Sequence, residues 1–223
     1  MGRPSGPEPA STVARVPDPA NDHYFTARPA SAAETRELRV TLAGHAVTVR
    51  VSSGVFSPGA LDKGTAVLLD EVPGPARHGD LLDLGCGWGP IALTLGLLSP
   101  EATVWAVDVN ERALDLARTN AAALGLRDFR ASQPDGIPAG QRFDCIWSNP
   151  PIRIGKQALH DLLMDWLPRL KPGGVAYLVV QKNLGSDSLQ RWLGEHLPRE
   201  SYAVGRRASS KGFRVLSVAR TRD

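Results

Sequence analysis

Asp83-Leu84-Gly85-Cys86-Gly87-Trp88-Gly89 stands where one short apolar stretch, Leu81–Leu84, runs into a longer one, Gly89–Leu98. The lengths suit a strand followed by a helix. Three glycines between them permit a tight turn and let a ligand approach the backbone. In sheets whose strands alternate with helices, ligands bind at the carboxyl ends of the strands, where this turn lies. Asp108 closes the next apolar stretch, Thr103–Val107, 23 residues after Gly85, and is placed to accept hydrogen bonds from ribose hydroxyls. Together they predict a nucleotide-like cofactor. The spacing departs from the dinucleotide fingerprint G-x-G-x-x-G, because the third glycine comes one residue early. Asp83 also precedes the turn, where a carboxylate would repel a pyrophosphate and suits a cofactor with a cationic amino-acid end.

Outward from this turn, strand and helix patterns alternate. Glu111–Leu124 is amphipathic, with Ala113, Leu114, Ala117 and Ala121 on one face and Gly125 as its stop. Strands are predicted near Phe129–Ser132 and Phe143–Trp147, then a helix over Lys156–Leu167, and a strand at Val175–Val180 after a Pro172-Gly173-Gly174 turn. A helix near Ser186–His196 and strands near Tyr202–Val204 and Phe213–Ala219 complete the chain. Such alternation predicts one α/β domain, a doubly wound and mostly parallel sheet covered on both faces. Before it, Leu38, Val40 and Leu42 alternate with polar residues, as do Val47, Val49 and Val51, around Gly44; residues 37–52 read as a β-hairpin. Residues 1–22 carry five prolines and almost no large apolar side chains, and are expected to be a disordered tail. The domain then runs over 23–223.

A second local signal follows the strand at Phe143–Trp147. Ser148-Asn149-Pro150-Pro151-Ile152 has two prolines that stiffen the turn and contribute carbonyls without N–H groups. Asn149 ahead of them presents a side-chain oxygen in a fixed place. The arrangement suits an sp² amine, whose delocalised lone pair is a poor nucleophile. Hydrogen bonds from its two N–H groups to the Asn149 oxygen and the Pro150 carbonyl would orient it and stabilise the positive charge that grows during attack. No strong base is needed beforehand, since the proton can leave afterwards. Taken alone, the string could also be a stiff loop whose Asn caps the next helix.

The string Asp83-Leu84-Gly85-Cys86-Gly87 resembles the first motif of class I S-adenosylmethionine-dependent methyltransferases, and Asn149-Pro150-Pro151 resembles the motif of those that modify amino and amide nitrogens. Ile152 departs from it, standing where adenine- and glutamine-modifying members carry an aromatic ring. Three more strings resemble one branch, the methyltransferase small domain group, which contains bacterial 16S rRNA guanine-N2 methyltransferases and compact archaeal relatives. They are Gly54-Val55-Phe56-Ser57 with Leu61-Asp62-Lys63-Gly64-Thr65, then Asn149 through Lys156, and Lys211-Gly212-Phe213-Arg214-Val215-Leu216. The resemblance runs from about Gly54 to the C-terminus. It implies a Rossmann-like seven-stranded sheet with the last strand antiparallel, and S-adenosylmethionine held by Asp83, Gly85, Gly87, Asp108 and Asp135, with Phe56 and Lys63 as a lid. It implies a substrate amine at Asn149, Pro150, Pro151 and Ile152, and a guanine N2 of 16S rRNA as the target, flipped into the pocket. Arg153, Lys156, Lys211 and Arg214 are candidates for RNA contact, with ribosomal RNA or the small subunit as partner. The bacterial ribosomal enzymes carry a duplicated N-terminal domain, in place of which this chain has a tail and a hairpin.

Charge is nearly balanced, 26 Lys and Arg against 23 Asp and Glu, but seven basic residues from Arg199 onward face only Glu200 and Asp223. That end of the chain could meet phosphates, or be a solvated edge. Two distant cysteines, Cys86 and Cys145, provide no disulfide framework or zinc spacing, and no metal is expected. No apolar run reaches membrane-spanning length and no secretory signal is evident, so the expectation is a soluble cytoplasmic protein without membrane contact. Two other functions share parts of the pattern: methylation of an amide or small-molecule nitrogen, such as a protein glutamine, and a ribosome-assembly factor that keeps the fold without turnover. The lack of an aromatic at position 152 disfavours the first; the intact Asp83, Asp108 and Asn149 disfavour the second.

Overall fold

In a computed structural model, residues 35–53, 55 and 60–221 are described. The expected tail 1–22 and Phe56 lie outside them. Two strands, β1 (Thr35–Leu42) and β2 (His45–Ser52), form the hairpin. Its two turn residues, Ala43 and Gly44, have φ of 51° and 80°, the left-handed pair that a two-residue hairpin loop requires. Then follow α1 (Lys63–Glu71), β3 (His78–Leu84), α2 (Pro90–Leu98), β4 (Glu101–Val107), α3 (Glu111–Ala123), β5 (Phe129–Ser132) and β6 (Phe143–Ser148). The chain ends with α4 (Lys156–Trp166), β7 (Leu170–Gln181), α5 (Ser186–His196), β8 (Tyr202–Ser210) and β9 (Phe213–Arg220).

Seven strands make one sheet in the order β5-β4-β3-β6-β7-β9-β8, and β9, the last in the chain, runs antiparallel to both neighbours. One face is packed by α4 and α5 around Phe143, Leu163, Trp166 and Leu193; the other holds Val67, Leu68, Ile91, Leu95 and Leu114 from α1, α2 and α3. The strand order reverses between β3 and β6, the switch point at which such sheets open a crevice. Their register, Leu81 opposite Cys145 and Asp83 opposite Trp147, brings the glycine turn and the Asn149 loop out side by side. No helix among the described residues is long and apolar enough to cross a membrane.

Several boundaries differ from the sequence expectation, each for a local reason. The helix α1 goes unpredicted because its apolar residues, Ala66–Leu69, form one short run without helical spacing; Asp62 starts it by accepting the Thr65 N–H at 3.0 Å. Strand β3 begins at His78 because its polar start is satisfied at the sheet floor. There Asp80 N–H donates to Asp144 at 2.8 Å, and Lys171 bridges both carboxylates. Pro172-Gly173-Gly174 is a bulge inside β7 rather than a turn before it: Leu170 already pairs with Phe143, and the register shifts before Val175 meets Cys145. A Cβ on Gly174 would fall 2.9–3.1 Å from three backbone carbonyls, so the bulge needs glycine. Strand β8 continues past Val204 to Ser210 because, as the sheet's edge, it tolerates the exposed Arg206 and Arg207.

The hairpin is seated on the outer side of α2 and α3, its Leu42, Val49 and Val51 against Trp88, Leu93 and Leu116. Asn120, fully buried in α3, fastens it. Its Oδ1 accepts the Arg50 N–H at 2.7 Å, and its Nδ2 donates to the carbonyls of Arg50 and Trp88, each at 3.0 Å. One side chain thereby joins β2 to the glycine turn. Replacing Asn120 with Ala strands these backbone groups, and we expect a loss of about 2–3 kcal/mol, seen as a melting temperature lower by about 5–10 °C in circular dichroism. An unchanged melt would contradict the anchoring role.

Candidate active site

The glycine turn is held from below by β4: the N–H groups of Gly85 and Cys86 both donate to the Val107 carbonyl, at 2.8 and 3.0 Å. Gly85, Gly87 and Gly89 all have positive φ, at 80°, 54° and 95°, which explains the alternating glycines. Gly89 is further constrained, since a Cβ there would lie 3.2 Å from that of Ala117 in α3. A Cβ on Gly85 would meet, among the described residues, only Pro151 Cδ, at 3.9 Å. The cofactor motif and the proline loop thus face each other across a gap.

Two buried carboxylates flank the turn. Asp83 accepts the Ala92 N–H at 2.9 Å, capping the first turn of α2, where Gly89 has no side chain to do so. Its other oxygen, Oδ1, is buried without a hydrogen-bond partner among the described residues. Burial first, and then the field of Asp108, raise the Asp83 carboxyl to about 8. Such an oxygen is able to accept from an ammonium group. Asp108 accepts the Gly87 N–H and the Asn110 N–H, each at 2.9 Å, so it shapes the turn as well as facing the crevice. Asp135 sits on a short 3₁₀ turn after β5, lining a cavity of about 310 Å³ with Glu111, Ser132 and Gln133. Gln133 reaches the Val109 carbonyl at 3.1 Å, which places this turn next to the end of β4. Cys86 is no nucleophile, because burial and the two acids hold its thiol protonated.

The proline loop is tied to the same edge. Ser148 donates its hydroxyl to the Leu84 carbonyl at 2.6 Å. Asn149 donates through Nδ2 to Asp62 at 2.7 Å and to Thr65 Oγ1 at 3.1 Å. A carboxylate only accepts, so the orientation of this amide is fixed by chemistry, and its Oδ1 faces away without a partner among the described residues. The Pro150 carbonyl is more committed than expected: it accepts the Ile152 N–H at 2.8 Å in an inverse γ-turn about Pro151 (φ −74°, ψ 78°), leaving one lone pair for a ligand. Ile152 is half-buried and packs on the core beneath.

Lys63 is exposed on the first turn of α1. Lys156 opens α4 and Lys211 occupies the β8–β9 turn, both exposed, Lys211 reaching Asp70 at 3.3 Å. Arg214 differs: its side chain is 11% exposed and pairs with Asp187, between β9 and α5. The side chain of Arg153 lies outside the described residues. Asp62, Thr65 and Ser148 were not singled out as site residues by the sequence; the Asp62-x-x-Thr65 capping pattern was the available signal.

The model of the methyltransferase small domain matches residues 46–217. The chain is 34% identical to the uncharacterized protein YbxB of Bacillus subtilis, over 89% of this chain and 98% of that one. It is 35% identical to the ribosomal RNA small subunit methyltransferase C of Pseudomonas entomophila, over 89% of this chain and 58% of the relative. Among solved structures, the T. thermophilus 16S rRNA N2 G1207 methyltransferase, in complex with AdoMet and guanosine, superposes with a TM-score of 0.70 at 25% identity, covering 87% of this chain and 52% of that one. The chain spans about half the length of these two ribosomal RNA methyltransferases.

The Asp83 carboxyl gives a signed expectation. Raised on folding, it contributes stability to the ligand-free protein below about pH 4, which is lost as the pH rises through about 8. A cation beside it needs the ionised form. S-adenosylhomocysteine should therefore bind more tightly as the pH rises from about 6 to 8, by up to about tenfold per unit, and release a proton on binding. Calorimetry in buffers of different ionisation heat reads both, and Asp83→Asn should abolish both. Binding without proton release would contradict the ammonium assignment.

Proposed function

Because this chain belongs to the methyltransferase small domain family, we propose that it transfers a methyl group from S-adenosylmethionine to the N2 amino group of a guanine in 16S ribosomal RNA. The observation that carries the proposal is the Asn149 amide, pinned through its nitrogen with its oxygen free, one strand away from the glycine turn. An acceptor so placed recognises an N–H group and favours positive charge growing on its nitrogen. The bound cofactor would supply an electrophilic methyl on sulfur, its ammonium end against Asp83 and its ribose against Asp108.

Asn149 Oδ1 and the remaining lone pair of Pro150 would take the two N–H groups of the target amine, turning its lone pair toward the methyl. The cofactor would give up its methyl to that nitrogen and leave as S-adenosylhomocysteine, and the extra proton on nitrogen would pass to water. Fixed acceptors are worth more as the charge develops, so they act on the transition state more than on binding. Guanine as the target, and 16S rRNA as its carrier, are supported by the two ribosomal relatives; Ile152 offers an aliphatic surface on which a base can rest. Lys156 and Lys211 lie on exposed turns that could meet the RNA backbone, where each phosphate contact would add to the salt dependence of binding.

Incubation with labelled S-adenosylmethionine and separate pools of small subunits, free 16S rRNA, tRNA and protein tests the reading. Label should enter 16S rRNA, as free RNA or in the subunit. In single turnover with cofactor saturating, Asn149→Ala should lose about 10²–10³ in rate while keeping its affinity for S-adenosylhomocysteine. Full activity in that variant, or label confined to protein, would overturn the proposal.

A further inference from the structure

The string Leu61-Asp62-Lys63-Gly64-Thr65 does more than start a helix. Asp62 Oδ2 accepts two hydrogen bonds at once, from the Thr65 N–H at 3.0 Å and from Asn149 Nδ2 at 2.7 Å. The second joins residues 87 apart in sequence, from the N-terminus of α1 to the loop after β6. Thr65 adds its hydroxyl to the same amide nitrogen at 3.1 Å and is itself buried. Gly64 explains how the amide gets so close: a Cβ there would lie 3.0 Å from Asp62 Oδ2 and 3.4 Å from Asn149 Nδ2, in the space these two groups share. Phe213 closes that space from β9, with Cε1 3.1 Å from the same point. Asp62 Oδ2 and Thr65 Oγ1 are thereby both aimed at the nitrogen of one amide.

We infer that Asp62 is a positioning residue for methyl transfer: it holds the Asn149 amide by its nitrogen and so dictates that the oxygen, not the nitrogen, meets the substrate amine. This rests on the proposed N-methyltransferase activity for its catalytic meaning. An asparagine side chain offers a donor end and an acceptor end of nearly the same shape. With the donor end turned to the substrate it would repel an amine that must present its own N–H groups. Only a pure acceptor behind the nitrogen removes that ambiguity, and a carboxylate is one. The charge also strengthens the bond, which a neutral acceptor would not. Thr65 reinforces the choice but cannot impose it, since a hydroxyl can donate as readily as accept.

A cap alone is satisfied by several residues, which makes the inference separable from helix stability. Serine and asparagine cap helices about as well as aspartate. A serine at this position is too short to reach the amide as well, and an asparagine lacks the charge. Asp62→Ser should melt close to the parent and keep its affinity for S-adenosylhomocysteine, yet lose about 10- to 100-fold in single-turnover rate at saturating RNA, the effect of one charged hydrogen bond. Asp62→Asn should fall between. In an Asn149→Ala background, Asp62→Ser should cost nothing further, because the amide it orients is gone; a merely structural role would add its loss to that of Asn149→Ala.

A second readout needs no substrate. In ¹⁵N-labelled full-length protein, the side-chain NH₂ signals that vanish in Asn149→Ala identify this amide. They should move and exchange faster with solvent in Asp62→Ser. Unchanged amide signals, a parental rate in Asp62→Ser, or additive losses in the double variant would each overturn the inference. If the parent protein transfers no methyl to ribosomal RNA, the proposed function fails, and the amide signals still decide whether Asp62 holds Asn149.

Discussion

The hydroxyl of Ser148 donates to the carbonyl of Leu84 at 2.6 Å, buried between two strand ends. That bond closes the parallel pair β3–β6 at its carboxyl edge, and the residues that follow, Gly85 on one side and Asn149 on the other, leave the sheet from there. A parallel pair cannot be joined by a tight turn, so the two segments are brought together by everything folded between them: α2, β4, α3 and β5. The reversal of strand order at this pair keeps any neighbouring crossover from covering the gap. What binds on the glycine side and what reacts on the asparagine side are positioned by one register.

The electrostatic arrangement around that gap differs on its two sides. On the glycine side, burial pushes the Asp83 carboxyl up to about 8 and leaves one oxygen without a partner among the described residues. Such a group is costly to the ligand-free fold and is relieved by a bound cation. On the asparagine side one oxygen of the Asp62 carboxylate is engaged twice, accepting from a helix N-terminus and from an amide. One acid is left wanting a charge, and the other spends its charge on orientation. In the proposed reading, binding and reaction fall to different carboxylates. Gly85 and Pro151, which lie between them, carry no side-chain charge.

Much of this was legible in the sequence because it is local. The hairpin follows from period-two alternation and a Gly44 turn, and the glycine turn from three positions that need positive φ. The Asn149 loop follows from two prolines that remove donors and fix the chain. What escaped depends on partners far along the chain or on the sheet's edge. Nothing near Asp62 announces a contact 87 residues away. Arg214 reads as a candidate for RNA contact, and the fold pairs it with Asp187 of α5. The polar start of β3 and the bulge in β7 look like breaks in a strand, and are tolerated because Asp144, Lys171 and neighbouring carbonyls satisfy or demand them. Pro150 was read as a free acceptor, and half of that capacity is taken by the γ-turn it belongs to.

The account makes the nitrogen that receives the methyl its central claim, since the free Asn149 oxygen, the bonds behind it and the neighbouring Gly85 turn all bear on that atom. The most direct measurement is the identity of the product nucleoside. After reaction of the protein with S-adenosylmethionine and 16S rRNA, free or within the small subunit, the RNA is digested to nucleosides and the methylated species identified by mass spectrometry against standards. The account predicts N2-methylguanosine at one guanine position. A methyl group on adenine, on a ribose oxygen or on a ring carbon would contradict it.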